Sequence, residues 1–132
     1  MTTLPEVNSL DDLKGATEPV NVTGDVNLSS LKLARLPVKF GEVGGSFDCY
    51  RNQLTSLVGI HKIIKSCKGI NLYDNPIKEG GLGLLLIKDL KYIQYNLPAF
   101  QIIEKYLGKG KRGMIDCQTE LIKAGFKDFA KL

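Results

Sequence analysis

The stretch Phe47-Asp48-Cys49-Tyr50-Arg51-Asn52-Gln53-Leu54 decides how this chain is read, because it has two echoes. Val26-Asn27-Leu28-Ser29-Ser30-Leu31-Lys32-Leu33 precedes it by 21 residues, and Ile70-Asn71-Leu72-Tyr73-Asp74-Asn75-Pro76-Ile77 follows it by 23. All three read apolar-x-apolar-x-x-(Asn or Leu)-x-apolar, and Leu36 and Leu57 extend the first two by one more apolar position. Self-similarity at such a period signals stacked structural units. The alternation at Val26/Leu28, Phe47/Cys49 and Ile70/Leu72 predicts a short strand in each unit, with one face in the core. Asn52 and Asn75 suit a buried ladder of carboxamides that bond turn backbone left open where each strand ends. Leu33, Leu54 and Ile77 re-enter the core after that corner. Stacked units then form a parallel sheet that no single unit could bury alone. The first unit carries Leu31 in place of asparagine, as an atypical terminal repeat does.

Period and pattern resemble the L-x-L-x-x-N-x-L core of leucine-rich repeats. The segment Gly44-Gly45-Ser46-Phe47-Asp48-Cys49-Tyr50-Arg51-Asn52-Gln53-Leu54-Thr55-Ser56-Leu57 is more specific. It resembles the short, irregular leucine-rich-repeat-like proteins of tailed bacteriophages, in which G-x-F-x-C-x-x-N-x-L-T-S-L units recur. The tail Met114-Ile115-Asp116-Cys117-Gln118-Thr119-Glu120-Leu121-Ile122-Lys123-Ala124-Gly125 is similar to endings of that group, so the resemblance covers roughly residues 20–132. It implies a small phage protein whose role is to bind and inhibit a host protein, in defence or in metabolism.

The flanks read as caps. Ser9, with Asp11 and Asp12 behind it, starts a short helix to about Lys14. Gly41, Gly44, Gly45, Gly59 and Gly69 favour tight turns over long helices between the strands. Gly80-Gly81-Leu82-Gly83 leads into a short buried helix over 84–89, and Lys91–Tyr95 predicts a last strand, because Ile93 lies 23 residues after Ile70. Pro98 fits a first helical position, with Ala99, Ile102, Ile103, Tyr106 and Leu107 forming one apolar stripe and Gly108 stopping the helix. Asp116 is the expected N-cap of a second helix ending at Gly125, and such a cap would cover the last strand's edge.

Composition agrees with one ordinary domain. The chain has 132 residues, 43% hydrophobic and 24% charged, enough to bury a core without disulfides. No long apolar run or basic-then-apolar leader argues for a membrane span or a secretory signal, and three widely spaced cysteines argue for a reducing compartment. Residues 1–50 carry four basic and seven acidic side chains, a net of −3, whereas residues 51–132 carry fourteen and seven, a net of +7. That asymmetry suits an acidic partner or nucleic acid, or simply a lysine-rich, soluble surface.

A catalytic constellation is not evident. His61 is the sole histidine, so neither a histidine-based triad nor a histidine-rich metal site is expected, and a turn or surface role is expected for it. Cys49 and Cys67 fall at apolar repeat positions. Cys117 follows Asp116 and is either a buried structural thiol or one activated by a helix N-terminus. Gly108-Lys109-Gly110-Lys111-Arg112-Gly113 lacks phosphate-loop spacing and reads as a solvated loop, with an anion or nucleic-acid contact as its alternative.

What remains is the surface made by the outward positions, which line up in columns: Asp25/Ser46, Asn27/Asp48/Asn71, Ser29/Tyr50/Tyr73 and Ser30/Arg51/Asp74. Tyrosines beside an arginine and an aspartate are residue types that anchor interfaces, or the rings simply pack on each other. The expected architecture is an α/β, single-domain, leucine-rich-repeat-like solenoid of three to four parallel strands. An N-terminal cap would span 1–21, the repeat units 22–97 and a C-terminal helical cap 98–132. The expected function is non-catalytic binding of another protein in the host cytoplasm, with Asn27, Asp48, Tyr50, Arg51, Asn71, Tyr73 and Asp74 as contact residues on a concave face. No cofactor, metal, membrane or small-molecule substrate is expected. The rival is nucleic-acid binding through the basic C-terminal half, led by Lys105, Lys109, Lys111, Arg112 and Lys123.

Overall fold

A computed structural model describes all 132 residues. Ten short strands, all paired in parallel, form two four-stranded sheets and one two-stranded sheet. The first sheet holds β3 (Val26–Asn27), β5 (Ser46–Asp48), β8 (Gly69–Asn71) and β10 (Tyr92–Gln94), in that order. Its register places Val26 beside Phe47, Phe47 beside Ile70 and Ile70 beside Ile93, so the repeat read from apolar spacing is the register of the sheet. Val7 joins the ladder through a bridge to Val26, and all five of these side chains are buried.

A second four-stranded sheet was not expected. It holds β1 (Thr2–Leu4), β2 (Val20–Val22), β4 (Phe40–Val43) and β7 (Ile64–Ser66) in sequence order. Residues 1–21, read as a cap, therefore contribute strand β1 and the start of β2. Val20 and Val22 on β2 and Ile64 and Ser66 on β7 alternate inward, whereas β4 buries Phe40, Gly41 and Val43 across a register shift against β2. These runs are three or four residues long and are punctuated by Pro19, Pro37 and Gly41, so their periodicity is faint in the sequence. The third sheet pairs β6 (Ser56–Leu57) with β9 (Glu79–Gly80). Between the two larger sheets lies one continuous core in which Phe40 meets Phe47 edge to face, with ring centroids 4.8 Å apart.

The asparagine ladder is present, and its bonds explain the odd first unit. Asn52 accepts from the amides of Leu31 and Leu33, both at 3.0 Å, and donates to the carbonyls of Leu28 at 2.8 Å and Cys49 at 3.0 Å. Asn75 repeats the scheme on Leu54, Cys49 and Leu72. Each asparagine thus serves its own strand end and the turn one unit earlier. Ahead of Leu31 the chain instead makes a 3-10 turn over Leu10–Leu13, which closes its own hydrogen bonds, so Leu31 has no open turn to serve.

Helices follow with corrections. Residues Ile60–Ile63 form a single turn, α1, and Leu82–Leu86 a 3-10 helix that leaves Leu86 exposed. Helix α2 (Pro98–Lys105) begins at its proline as expected and buries Ala99, Phe100 and Ile103. Ser9 stands at the start of the early 3-10 turn, but its side chain makes no capping bond. Helix α3 runs from Gly110 to Lys123, so Asp116 is a mid-helix residue and not an N-cap. Gly110–Gly113, expected as loop, is its first turn. Positive φ angles at Gly108 (74°) and Gly110 (68°) make the corner between the two helices. The edge of β10 is covered as anticipated: the amide of Ile93 and the hydroxyl of Tyr95 both donate to Glu104 of α2, each at 3.3 Å.

Candidate functional site

The outward face of the β3-β5-β8-β10 sheet is built by a repeated local device. Asn27, Asp48 and Asn71 stand side by side in register on three strands. Each side-chain oxygen accepts the amide two residues on, from Ser29 at 3.0 Å, Tyr50 at 2.9 Å and Tyr73 at 3.0 Å. These Asx turns bend the chain out of the strand. The corner is completed by left-handed residues at equivalent positions, Ser30 (φ 56°), Arg51 (φ 54°) and Asp74 (φ 60°). Backbone pairing continues through it, because Ser30 donates to Tyr50 and Arg51 donates to Tyr73.

Seven residues expected at one site thus fall into two rows. Asn27, Asp48 and Asn71 are on the strands, and three of their acceptor oxygens are already engaged by backbone. Tyr50, Arg51, Tyr73 and Asp74 lie just past the strand ends, along the corner. There the rings of Tyr50 and Tyr73 stand 6.3 Å apart at 34°, and the Arg51 guanidinium lies 5.6 Å from the centre of the Tyr50 ring. Tyr73 is 44% exposed, so the stacked pair still offers surface to a partner. Asp74 does not pair with Arg51; its carboxylate accepts from Asn96, which extends the row by one more unit.

The opposite column holds a residue that sequence reading missed. Tyr92 folds flat across the backbone of Gly69, its register partner, and its hydroxyl bonds that of Ser46 on the next strand. A glycine inside a strand marks a close approach of this kind. Gly69 and Tyr92 are separated by one repeat length, so the signal was available. The face therefore has aromatic rings at both ends of its strands and an amide-rich floor between them.

No family model, curated protein or solved structure matches this chain.

The titratable groups divide by burial. All three cysteines are free and buried. Burial holds each thiol in its neutral form: Cys67 is pushed up to about 12 and Cys117 to about 11, and Cys49 is also raised, with the Asp48 charge adding to burial. Cys117, placed inside α3, is not activated. His61 is half-buried in α1 against Gly83, and its buried Nδ1 has no hydrogen-bond partner, so it is less superficial than expected.

The basic C-terminal residues are partly neutralised. Lys105 bonds Glu120 at 2.5 Å and Arg112 approaches Asp116 to 3.4 Å. Glu120 also accepts from the Tyr106 hydroxyl at 2.6 Å. Lys109, Lys111 and Lys123 make no ion pair and lie beyond the sheet. No helix is long and apolar enough to cross a membrane.

Proposed function

We propose that this chain is a leucine-rich-repeat-like solenoid of bacteriophage type that binds another protein, without catalysis, in the cytoplasm of a bacterial host. Its partner is a host protein of defence or metabolism, which it inhibits or modulates. The observation that carries the reading is the pair of half-buried Tyr50 and exposed Tyr73, with Arg51 set over the Tyr50 ring. Large, stiff side chains held by a locked backbone lose little freedom on binding, and Tyr and Arg are enriched among residues that dominate interface energy. The Asx turns and the left-handed corner fix all three in place before any partner arrives. The resemblance of residues 44–57 to phage repeats supports the origin, and reduced, buried thiols fit a reducing compartment.

The test is comparative capture from bacterial extract. The native chain and a variant with Lys109, Lys111 and Arg112 reversed to glutamate should retain the same protein. Tyr50→Ala, Arg51→Ala or Tyr73→Ala should each weaken binding to it by about 2 kcal/mol, roughly 30-fold, with unchanged melting. Tyrosine variants that bind normally while the loop variant fails would overturn this reading. That result would favour the basic C-terminal half and an acidic or nucleic-acid partner.

A further inference from the structure

Away from that face, the β1-β2-β4-β7 side carries a concentration of unpaired positive charge. Two cavities follow one another along β4 and β7. The first, about 530 Å³, is lined near the start of these strands by Lys39, Lys62 and Lys65, together with Glu18 and His61. The second, about 370 Å³, is lined at their far end by Lys68, Lys88 and Lys91, with Glu42 and Asp89. Six lysines against three carboxylates leave a surplus of three positive charges, and the whole chain carries only +4. The molecule's ion pairs use Lys14, Lys105, Arg112 and Lys131, and none of these six.

We propose that this lysine face binds the phosphate backbone of a nucleic acid, without reading its sequence. The six lysines come from successive segments and are split evenly between the two cavities, so they suit a row of phosphates better than one small anion. Their chemistry also limits what they read. Lysine is a flexible point charge that lacks the planar fork with which arginine grips a guanine edge. Of the two aromatic rings among the lining residues, Phe40 is buried in the core and the His61 imidazole is half-buried against Gly83, so neither is an open platform for a base. The proposal differs from the C-terminal alternative in placing the contact where cations are free, not where Glu120 and Asp116 engage them.

The experiment is fluorescence anisotropy of the full chain with a labelled mixed-sequence DNA duplex of about 20 base pairs, between roughly 50 and 200 mM salt. Binding should weaken steeply with salt, with a log–log slope of about −3 to −5, one unit of nearly 0.9 for each phosphate contacted. A duplex of shuffled sequence should bind equally well. The variant Lys62→Glu/Lys65→Glu/Lys68→Glu should lose at least about tenfold in affinity, and its slope should flatten by two to three units. Lys88→Gln/Lys91→Gln, milder and equally exposed, should flatten it by about two. Lys109→Glu/Lys111→Glu and Tyr50→Ala should bind as the native chain does, which separates this face from the tyrosine site. Absence of binding at the lowest salt, or face variants that bind normally, would overturn the proposal. So would competition by poly-glutamate as strong as that of DNA at equal charge, which would assign the face to acidic proteins instead.

Discussion

Asn52 and Asn75 donate to one and the same carbonyl oxygen, that of Cys49, at 3.0 and 2.9 Å. Two units are thereby pinned through a single buried acceptor. Both carboxamides are nearly inaccessible, so neither their own bonds nor the backbone groups they serve can be replaced by water.

Alanine at either position should therefore be destabilising. Asn52→Ala leaves the amides of Leu31 and Leu33 and the carbonyl of Leu28 unpaired, and Asn75→Ala does the same to Leu54 and Leu72. Each should lower stability by about 1–3 kcal/mol in denaturant melts. Because the Cys49 carbonyl keeps one donor in either single variant and loses both only in the double, the double variant should cost more than the sum. Unchanged melts, or strict additivity, would contradict this account.

Glycines differ in what surrounds them, and the difference predicts a ranking. A Cβ on Gly44 would stand 2.2 Å from the carbonyl oxygen of Thr23, which is fixed backbone. The nearest atoms to a Cβ on Gly69 would be those at the far end of the Tyr92 ring, from 2.0 Å, and that ring can swing away. Gly44→Ala should cost about 3 kcal/mol and Gly69→Ala nearer 1 kcal/mol. Equal losses in thermal unfolding would be the contrary result.

Thiol chemistry should be silent in the native state. Burial raises all three cysteines, so at neutral pH they are protonated and shielded. Reaction with a thiol reagent should proceed no faster than opening of the structure and should accelerate sharply in denaturant. Fast native labelling of any cysteine would refute it.

The Tyr106–Glu120–Lys105 cluster gives stability a pH dependence at both extremes. Bonds from Lys105 and then Tyr106 hold the Glu120 carboxyl below its usual range. Its contribution is present above the unfolded value of about 4.3 and is lost as pH falls through the lower folded value. The Tyr106 hydroxyl moves the other way, pushed up to about 12 chiefly by its bond to Glu120. Its contribution is full below about pH 10 and is lost as pH rises toward 12. Glu120→Gln should flatten both limbs and bring one tyrosine's ultraviolet titration back toward 10. An unchanged titration would show that Tyr106 does not feel Glu120.

The legibility of this chain followed the length of its patterns. The Val26/Phe47/Ile70/Ile93 column was readable because three equivalent apolar pairs recur at 21 and 23 residues with Ile93 a further 23 on, and Asn52 and Asn75 stood out as polar residues at core spacing. The second sheet was not, since a three-residue strand such as Val20–Val22 has room for a single alternation. Asp116 misled for a chemical reason: it has the side chain of a cap, but three glycines before it looked like loop. Two of them make the corner and the third, Gly113, is buried within the helix. Within the site, the tyrosine row was legible from column spacing, whereas Tyr92 needed attention to what a strand glycine makes room for.

The backbone ladders of the sheets join neighbouring units, whereas the C-terminal end reaches back across several. The amides of Gly59 and Leu82 donate to the carbonyls of Leu132 and Lys131, at 2.6 and 3.3 Å. That clasp makes the molecule tolerant of length change on one side and intolerant on the other. A duplicated segment of about 21 residues inserted ahead of β4 would extend both larger sheets and leave the clasp intact. The same insertion after β7 would carry Gly59 away from Leu132. Growth or loss of whole units is therefore permitted in the first third of the chain, and the gene can vary its surface there without reworking the end that closes it.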